Sequence, residues 1–371
     1  MDISKVNRIV IKVGSSLIVK KDGYLLKEKW LASLIKDVSQ LHKDNKEVVI
    51  VSSGAVSLGK RHIRTKNRQL KLEEKQAAAA CGQIELLRHY KELLGKHEIE
   101  AAQILLTLFD FESRRNYLNV RNTLETLLGF GVVPVINEND TVATHELRFG
   151  DNDRLAARVA QMIGADLLII LSDVDGLYTE NPNISPSAKH IKQVDEITPE
   201  FENMAGGALS GIGSGGMITK IDAAKIAVNS GCNMVIASGI GVNPVKKYFN
   251  GAKSTLFVAK DTPMNARKNW ISGNLTISGD IIIDDGALNA LNKGKSLLPA
   301  GVVDVLGEFE RGDTVFIKDC RNKIVGRGLI AHNSADAKLI MGQRSEEIEH
   351  IIGFSGRDEL IHRNDMVLEK G

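Results

Sequence analysis

Between residues 8 and 238 the chain repeats one pattern: a short unbroken apolar run, then a stretch with helical periodicity. The runs are RIVIKV, EVVIV, GVVPVI, DLLIIL and NMVIAS. A strand with one face in water alternates apolar and polar residues, so a strand that does not alternate must be covered on both faces. Such strands separated by helices predict a mostly parallel sheet sandwiched between helices, an α/β fold. Helices are expected near residues 27–43 and 73–95 and between GVVPVI and DLLIIL. In the last of these Leu155, Val159 and Met162 line one face and Gly164 closes the C-terminal end.

Ligands of such sheets bind beyond the carboxyl ends of the strands, and the segments after the runs are rich in polar groups. Lys12 lies inside the first run, and Gly14, Ser15 and Ser16 follow it. SSGAV (Ser52–Val56) follows the second run and NENDTV (Asn137–Val142) follows GVVPVI. FGDNDRLA (Phe149–Ala156) leads into a helix, and SDVDGLY (Ser172–Tyr178) follows DLLIIL. A lysine in a doubly covered strand is costly unless paired, which favours function over an edge-strand gatekeeper. Asp151 and Asp153 also suit capping of the helix they precede. Asp173 and Asp175 lack the later ligands of a calcium loop. His145 and Glu146 begin a zinc-protease pattern that Phe149 breaks. The basic stretch Lys60–Lys71 suits a solvated loop or a segment closing over an acidic ligand.

A further stretch, SGIGSGGMITK (Ser210–Lys220), packs four glycines between residues 211 and 216 and ends on a lysine. Met217 breaks the P-loop pattern. A dinucleotide pattern matches at Gly211, Gly213 and Gly216, but no strand precedes it. Helical spacing does follow, through Ile218, Ile221, Ala224, Lys225 and Val228. A glycine loop opening a helix gathers free N–H groups and positive dipole at one point, which suits a phosphate, with Lys220 in the first turn. The alternative is a surface loop with a solvated lysine.

Composition narrows the class. Of 371 residues, 43% are hydrophobic and 25% charged, with net charge +2. That is ordinary for a globular chain, of two domains by length, and gives no general pull toward nucleic acid or membrane. Three scattered cysteines, Cys81, Cys232 and Cys320, exclude a disulfide framework and a C-x-x-C zinc site and suit a reducing cytosol. The N-terminus lacks a signal-peptide core, and no apolar run reaches the roughly 20 residues of a membrane span. A cytoplasmic location is expected.

The set IKVGSS, VSSGAV, PVINENDTVAT, FGDNDRLAA, LSDVDGLY and GSGGMITK resembles the amino-acid kinase family, with Ser214 where its glycine loop usually carries Thr. The match continues into GDIIIDDGALNALNKGKSLLPAGV and GEFERGDTVFI, which resemble a PUA domain, a small β-rich module. The resemblance implies a catalytic domain over 1–260, a connector over 261–278, a PUA domain over 279–356 and a C-terminal tail over 357–371. It also implies transfer of a phosphoryl group from ATP, with Mg²⁺, to the side-chain carboxylate of L-glutamate, the first step toward proline. Kinases of the same fold that act on N-acetylglutamate, aspartate or a phosphate monoester are the nearest alternatives.

By that resemblance Lys12 and Lys220 neutralise the transferred phosphoryl, Asp173 orients both lysines, and Ser172 with Asp173 borders the nucleotide. Gly14, Ser214, Gly215, Gly216, Met217, Ile218, Thr219 and Lys220 surround its phosphates. Ser53, Gly54, Asp140 and Asn152 hold glutamate, with Asp140 on the ammonium. Proline as feedback inhibitor, a glutamyl phosphate reductase downstream and a homo-oligomer are further implications. RNA is a poor partner for residues 279–371, which carry 12 Lys and Arg against 16 Asp and Glu, a net charge of −4.

Overall fold

The computed structural model describes residues 3–20, 24–63, 70–143, 151–180, 182, 184–199, 201, 216–273, 276–353 and 357–369. The chain divides into two compact units, Met1–Glu112 with Asn119–Pro263, and Ser113–Leu118 with Met264–Gly371.

In the first unit the strands are β1 (Arg8–Val13), β2 (Glu47–Ser52), β3 (Ala101–Leu106), β4 (Val133–Glu138), β5 (Leu167–Ser172), β6 (Leu177–Tyr178), β7 (His190–Ile191), β8 (Gln193–Val194), β9 (Asn233–Ser238) and β10 (Ser254–Phe257). Eight of them form one sheet in the order β3-β4-β2-β1-β5-β9-β10-β8. Neighbours from β3 to β9 run parallel, and β10 returns antiparallel to β9. All six residues of β4 and of β5 are buried, as their unbroken apolar pattern predicts. The sequence reading missed β3. Its AAQILL segment has few β-branched residues to signal a strand, and what makes it one is six register pairs with β4 at the sheet edge.

The helix Glu28–Lys43 presents Leu31, Leu34, Ile35, Val38 and Leu41 to the sheet, three or four residues apart, so they share one face. Each such fully buried side chain contributes about 1.5–3 kcal/mol. The helix Asn152–Ile163 ends at Gly164 in the left-handed conformation, as expected. The helices Ala55–Gly59 and Leu72–Gly95 touch backbone to backbone. A Cβ on Gly59 would lie 1.7 Å from Ala78 O, and one on Gly82 would lie 1.9 Å from Ala55 O. That contact sets how near residue 83 comes to the turn after β2.

The second unit is built on β11 (Ile277–Ile283), β12 (Val302–Gly307), β13 (Thr314–Asp319), β14 (Ile324–Leu329) and β15 (Met366–Leu368), in the order β12-β11-β13-β14-β15. Ile281, Ile283, Val315, Ile317, Leu360 and Ile361 are fully buried in its core. Two stretches differ from their sequence reading. Residues 261–278 contain a helix, Pro263–Gly273, and the start of β11. Residues 357–369, read as part of a tail, supply β15, paired with β14, and bury Leu360, Ile361 and Met366. Two or three apolar residues between charges make no periodic signal, and it is the sheet edge that gives them a place.

Among the described residues no helix is long and apolar enough to cross a membrane. Residues 64–69 of the basic stretch, His145, Glu146, Phe149, Ser214 and Gly215 lie outside the described residues.

Candidate active site

At the centre of the sheet the chain leaves β1 toward β2 on one side and leaves β5 toward β9 on the other. Diverging connections from neighbouring strands open a crevice at their carboxyl ends. Lys12 stands one residue from the end of β1, in register with Val51 and Ile170, and Ser172 ends β5.

Two helices bring their N-termini to this point. Asp151 caps the helix Asn152–Ile163 by accepting from Asp153 N. Gly216 precedes the helix Met217–Asn229, in whose first turn Lys220 lies. Thr219 Oγ1 joins the two ends, 2.8 Å from both Asp151 Oδ2 and Gly216 O. Between them lies Asp153, with 0% exposure. Lys12 Nζ forms an ion pair with its Oδ1 at 2.5 Å. Lys220 Nζ donates to Oδ2 at 3.0 Å. Lys12 also lies 3.8 Å from Asp151. Burial pushes the Asp153 pKa up, but the two ammonium groups outweigh it and hold the carboxyl below its usual value. The result is two cations held side by side at two positive helix ends, an arrangement that suits an anion.

Beside this cluster runs a chain of amides. Asn152 Nδ2 donates to Ser53 Oγ at 2.8 Å and to Asn137 Oδ1 at 2.9 Å. Asn137 Nδ2 donates to Gln83 Oε1 at 2.8 Å. Ser53 N is tied to Val13 O at the end of β1. Gly54 follows with φ +116°, a conformation that only glycine adopts readily, and a Cβ there would sit 3.0 Å from Ile18 Cγ2. Asp140 is half-buried in the turn after β4.

Lys12, Gly14, Asp153 and Lys220 come together, since a Cβ on Gly14 would lie 3.8 Å from Lys12 Nζ. Ser53 and Asn152 also meet. Two expectations are corrected. Asp173 does not orient the lysines here, being exposed and accepting from Ser172 Oγ at 3.0 Å. The carboxylate between the lysines is Asp153. The reading of Lys220 as a solvated lysine on a surface loop is also set aside, for Lys12 is 6% and Lys220 5% exposed. Sequence reasoning weighed Asp153 only as a cap. The signal was there, because one helix needs one capping side chain and GDND offers two carboxylates. Gln83 carries no such signal, as its partners come from other elements.

No group of three or more His, Cys, Asp or Glu side chains among the described residues is disposed to hold a metal ion.

The model of the amino acid kinase family matches residues 7–238, and that of the PUA domain matches residues 279–352. The chain is 52% identical over 362 residues to a glutamate 5-kinase of Paramagnetospirillum magneticum, covering 98% of each chain. It is 54% identical over 363 residues to a glutamate 5-kinase of Agrobacterium fabrum, covering 98% of this chain and 93% of the other. Among solved structures, carbamate kinase from Giardia lamblia bound to AMP-PNP aligns with a TM-score of 0.51 at 17% identity, over 69% of this chain and 100% of its own. That likeness speaks for the fold alone.

Proposed function

Because the chain belongs to the amino acid kinase family, we propose that it carries the activity of its glutamate 5-kinase relatives. It phosphorylates the side-chain carboxylate of L-glutamate with ATP, giving ADP and γ-glutamyl phosphate, the first step of proline biosynthesis. The observation that carries the chemistry is the buried Lys12–Asp153–Lys220 cluster at the divergence of β1 and β5. The attacking group is already an anion and needs no general base. It needs relief from repulsion by the triphosphate, and two lysines supply it.

In this reading Asp153 offsets the repulsion between Lys12 and Lys220 and holds both at the phosphate site. Gly14, Ser172, Asp173 and the segment Ser214–Lys220 surround the nucleotide. Ser53, Gly54, Asp140 and Asn152 hold glutamate, Asp140 taking the ammonium. The donor set suits Mg²⁺ carried on the nucleotide, since that ion keeps several waters and takes one or two carboxylates plus phosphates. Asp173 is the carboxylate we assign to that end, and the ion would neutralise phosphate charge. We also propose that residues 1–260 form the catalytic domain and that the PUA domain begins near Gly279. A cytoplasmic homo-oligomer inhibited by proline, feeding a glutamyl phosphate reductase, completes the reading.

The test is acceptor choice. Hydroxylamine traps an acyl phosphate as a hydroxamate, so hydroxamate formation and ADP release are followed with L-glutamate, N-acetylglutamate and aspartate. L-Glutamate is expected to be strongly preferred. Asp140→Asn should raise the glutamate KM by about tenfold or more, the loss expected for a charged partner of a bound ammonium, and leave the ATP KM nearly unchanged. Equal turnover of N-acetylglutamate, which has no ammonium, would sink the acceptor assignment.

A further inference from the structure

The amide chain beside Ser53 is unbalanced at one end. Asn152 Nδ2 spends both N–H groups, on Ser53 Oγ and Asn137 Oδ1, and Asn137 Nδ2 gives one to Gln83 Oε1. Gln83 is only 7% exposed. Its Nε2 is buried and has no acceptor among the described residues. Buried N–H groups are satisfied in nearly all native structures, so this amide calls for an acceptor that the described residues do not supply.

The direction of the chain decides what it offers. Flipping all three amides together would keep the same internal bonds. Gln83 would then end in a carbonyl oxygen, and Ser53 would spend its proton on Asn152. With the amides assigned as in these hydrogen bonds, Gln83 ends in N–H donors. Ser53 accepts from Asn152 and keeps its own proton to donate. Both ends then suit an anion.

L-Glutamate brings three charged groups. In the reading above the side-chain carboxylate goes to the lysines and the ammonium to Asp140, which leaves the α-carboxylate. We propose that Gln83 is a specificity-determining residue for the α-carboxylate of the acceptor, donating through Nε2 and, through Asn137 and Asn152, holding Ser53 as a donor. This inference rests on the glutamate reading.

Gln83→Glu in the full chain is the test. The new carboxylate still accepts from Asn137 but turns the donor end into an acceptor. The KM for L-glutamate is expected to rise about tenfold or more, the worth of a hydrogen bond to a charged group. The ATP KM should stay near wild type, while the thermal midpoint should fall, since the new carboxylate is buried with one oxygen lacking a donor. Preference should also swing by at least about tenfold toward L-isoglutamine, whose α-carboxamide can donate to the new oxygen. A loss of packing alone would not produce that swing. Gln83→Met, which keeps the shape without the amide, should raise the L-glutamate KM without the swing. An unchanged L-glutamate KM in either folded variant overturns the proposal, as does an equal loss on both acceptors after Gln83→Glu. Failure of the wild-type chain to phosphorylate L-glutamate overturns the glutamate reading itself, and is seen before any variant is compared.

Discussion

Asp153 lies without solvent contact between two buried ammonium groups, so each of the three residues depends on the others. Losing the partner of a buried charge costs roughly 3–5 kcal/mol when nothing else compensates it. In Lys12→Ala or Lys220→Ala the other lysine remains, so the loss of stability should be smaller than that. The loss of turnover should reach about 10²–10³, the usual effect of removing one charge-stabilising donor. Thermal melts and initial rates separate the two effects, and near-normal turnover in a folded variant removes that lysine from the mechanism. Asp153 also gives the cluster a pH signature. Its pKa is lower folded than unfolded, so its contribution is present above the ordinary carboxylate range and is lost as pH falls through the folded pKa. Asp153→Asn should therefore flatten the acid side of the curve of melting temperature against pH. An acid side unchanged from wild type would show that this carboxylate is not its source.

The helices Ala55–Gly59 and Leu72–Gly95 act as a gauge for the acceptor side. Their contact at Gly59 and Gly82 holds the turn Ser53–Gly54 and Gln83 at fixed separation. Gly82→Ala drives a Cβ to 1.9 Å from Ala55 O, where a backbone atom and not a flexible side chain must move. Overpacking of this kind costs about 1–3 kcal/mol or more. The variant is expected to melt lower and to show a higher glutamate KM with a smaller change for ATP. Gly95, on the same helix, is exposed with nothing within 4 Å of a built Cβ. Gly95→Ala should be neutral or stabilise by up to about 1 kcal/mol, the difference in helix propensity. Equal behaviour of the two variants would refute the gauge.

At the scale of the molecule, each unit carries its own buried core, and the proposed catalytic and binding residues, Lys12 to Lys220, all belong to the first. A chain ending at Pro263 should fold and phosphorylate glutamate within about tenfold of the full-length rate, the allowance being for small losses of positioning. Gel filtration and the hydroxamate assay check this. A folded fragment without turnover, rescued by adding residues 264–371, would show that the second unit completes the site.

The amino-acid sequence alone determined the α/β class, because unbroken apolar strands have no stable place except in a sheet covered on both sides. It also marked Lys12 and Lys220, since a lysine in a covered strand and one at a glycine-rich helix start stand out against an apolar background, whereas Ser53 and Asn152 were singled out only by the family resemblance. Strand β3, strand β15 and the role of Asp153 were decided by tertiary structure. β3 and β15 are strands because a neighbouring edge, over 30 residues away in sequence, satisfies their backbone. Asp153 resembles any capping acid until folding buries it between lysines that are 208 positions apart in the chain. Gln83 belongs with these: an interior helical glutamine acquires meaning only when Asn137 takes its oxygen and leaves its nitrogen bare.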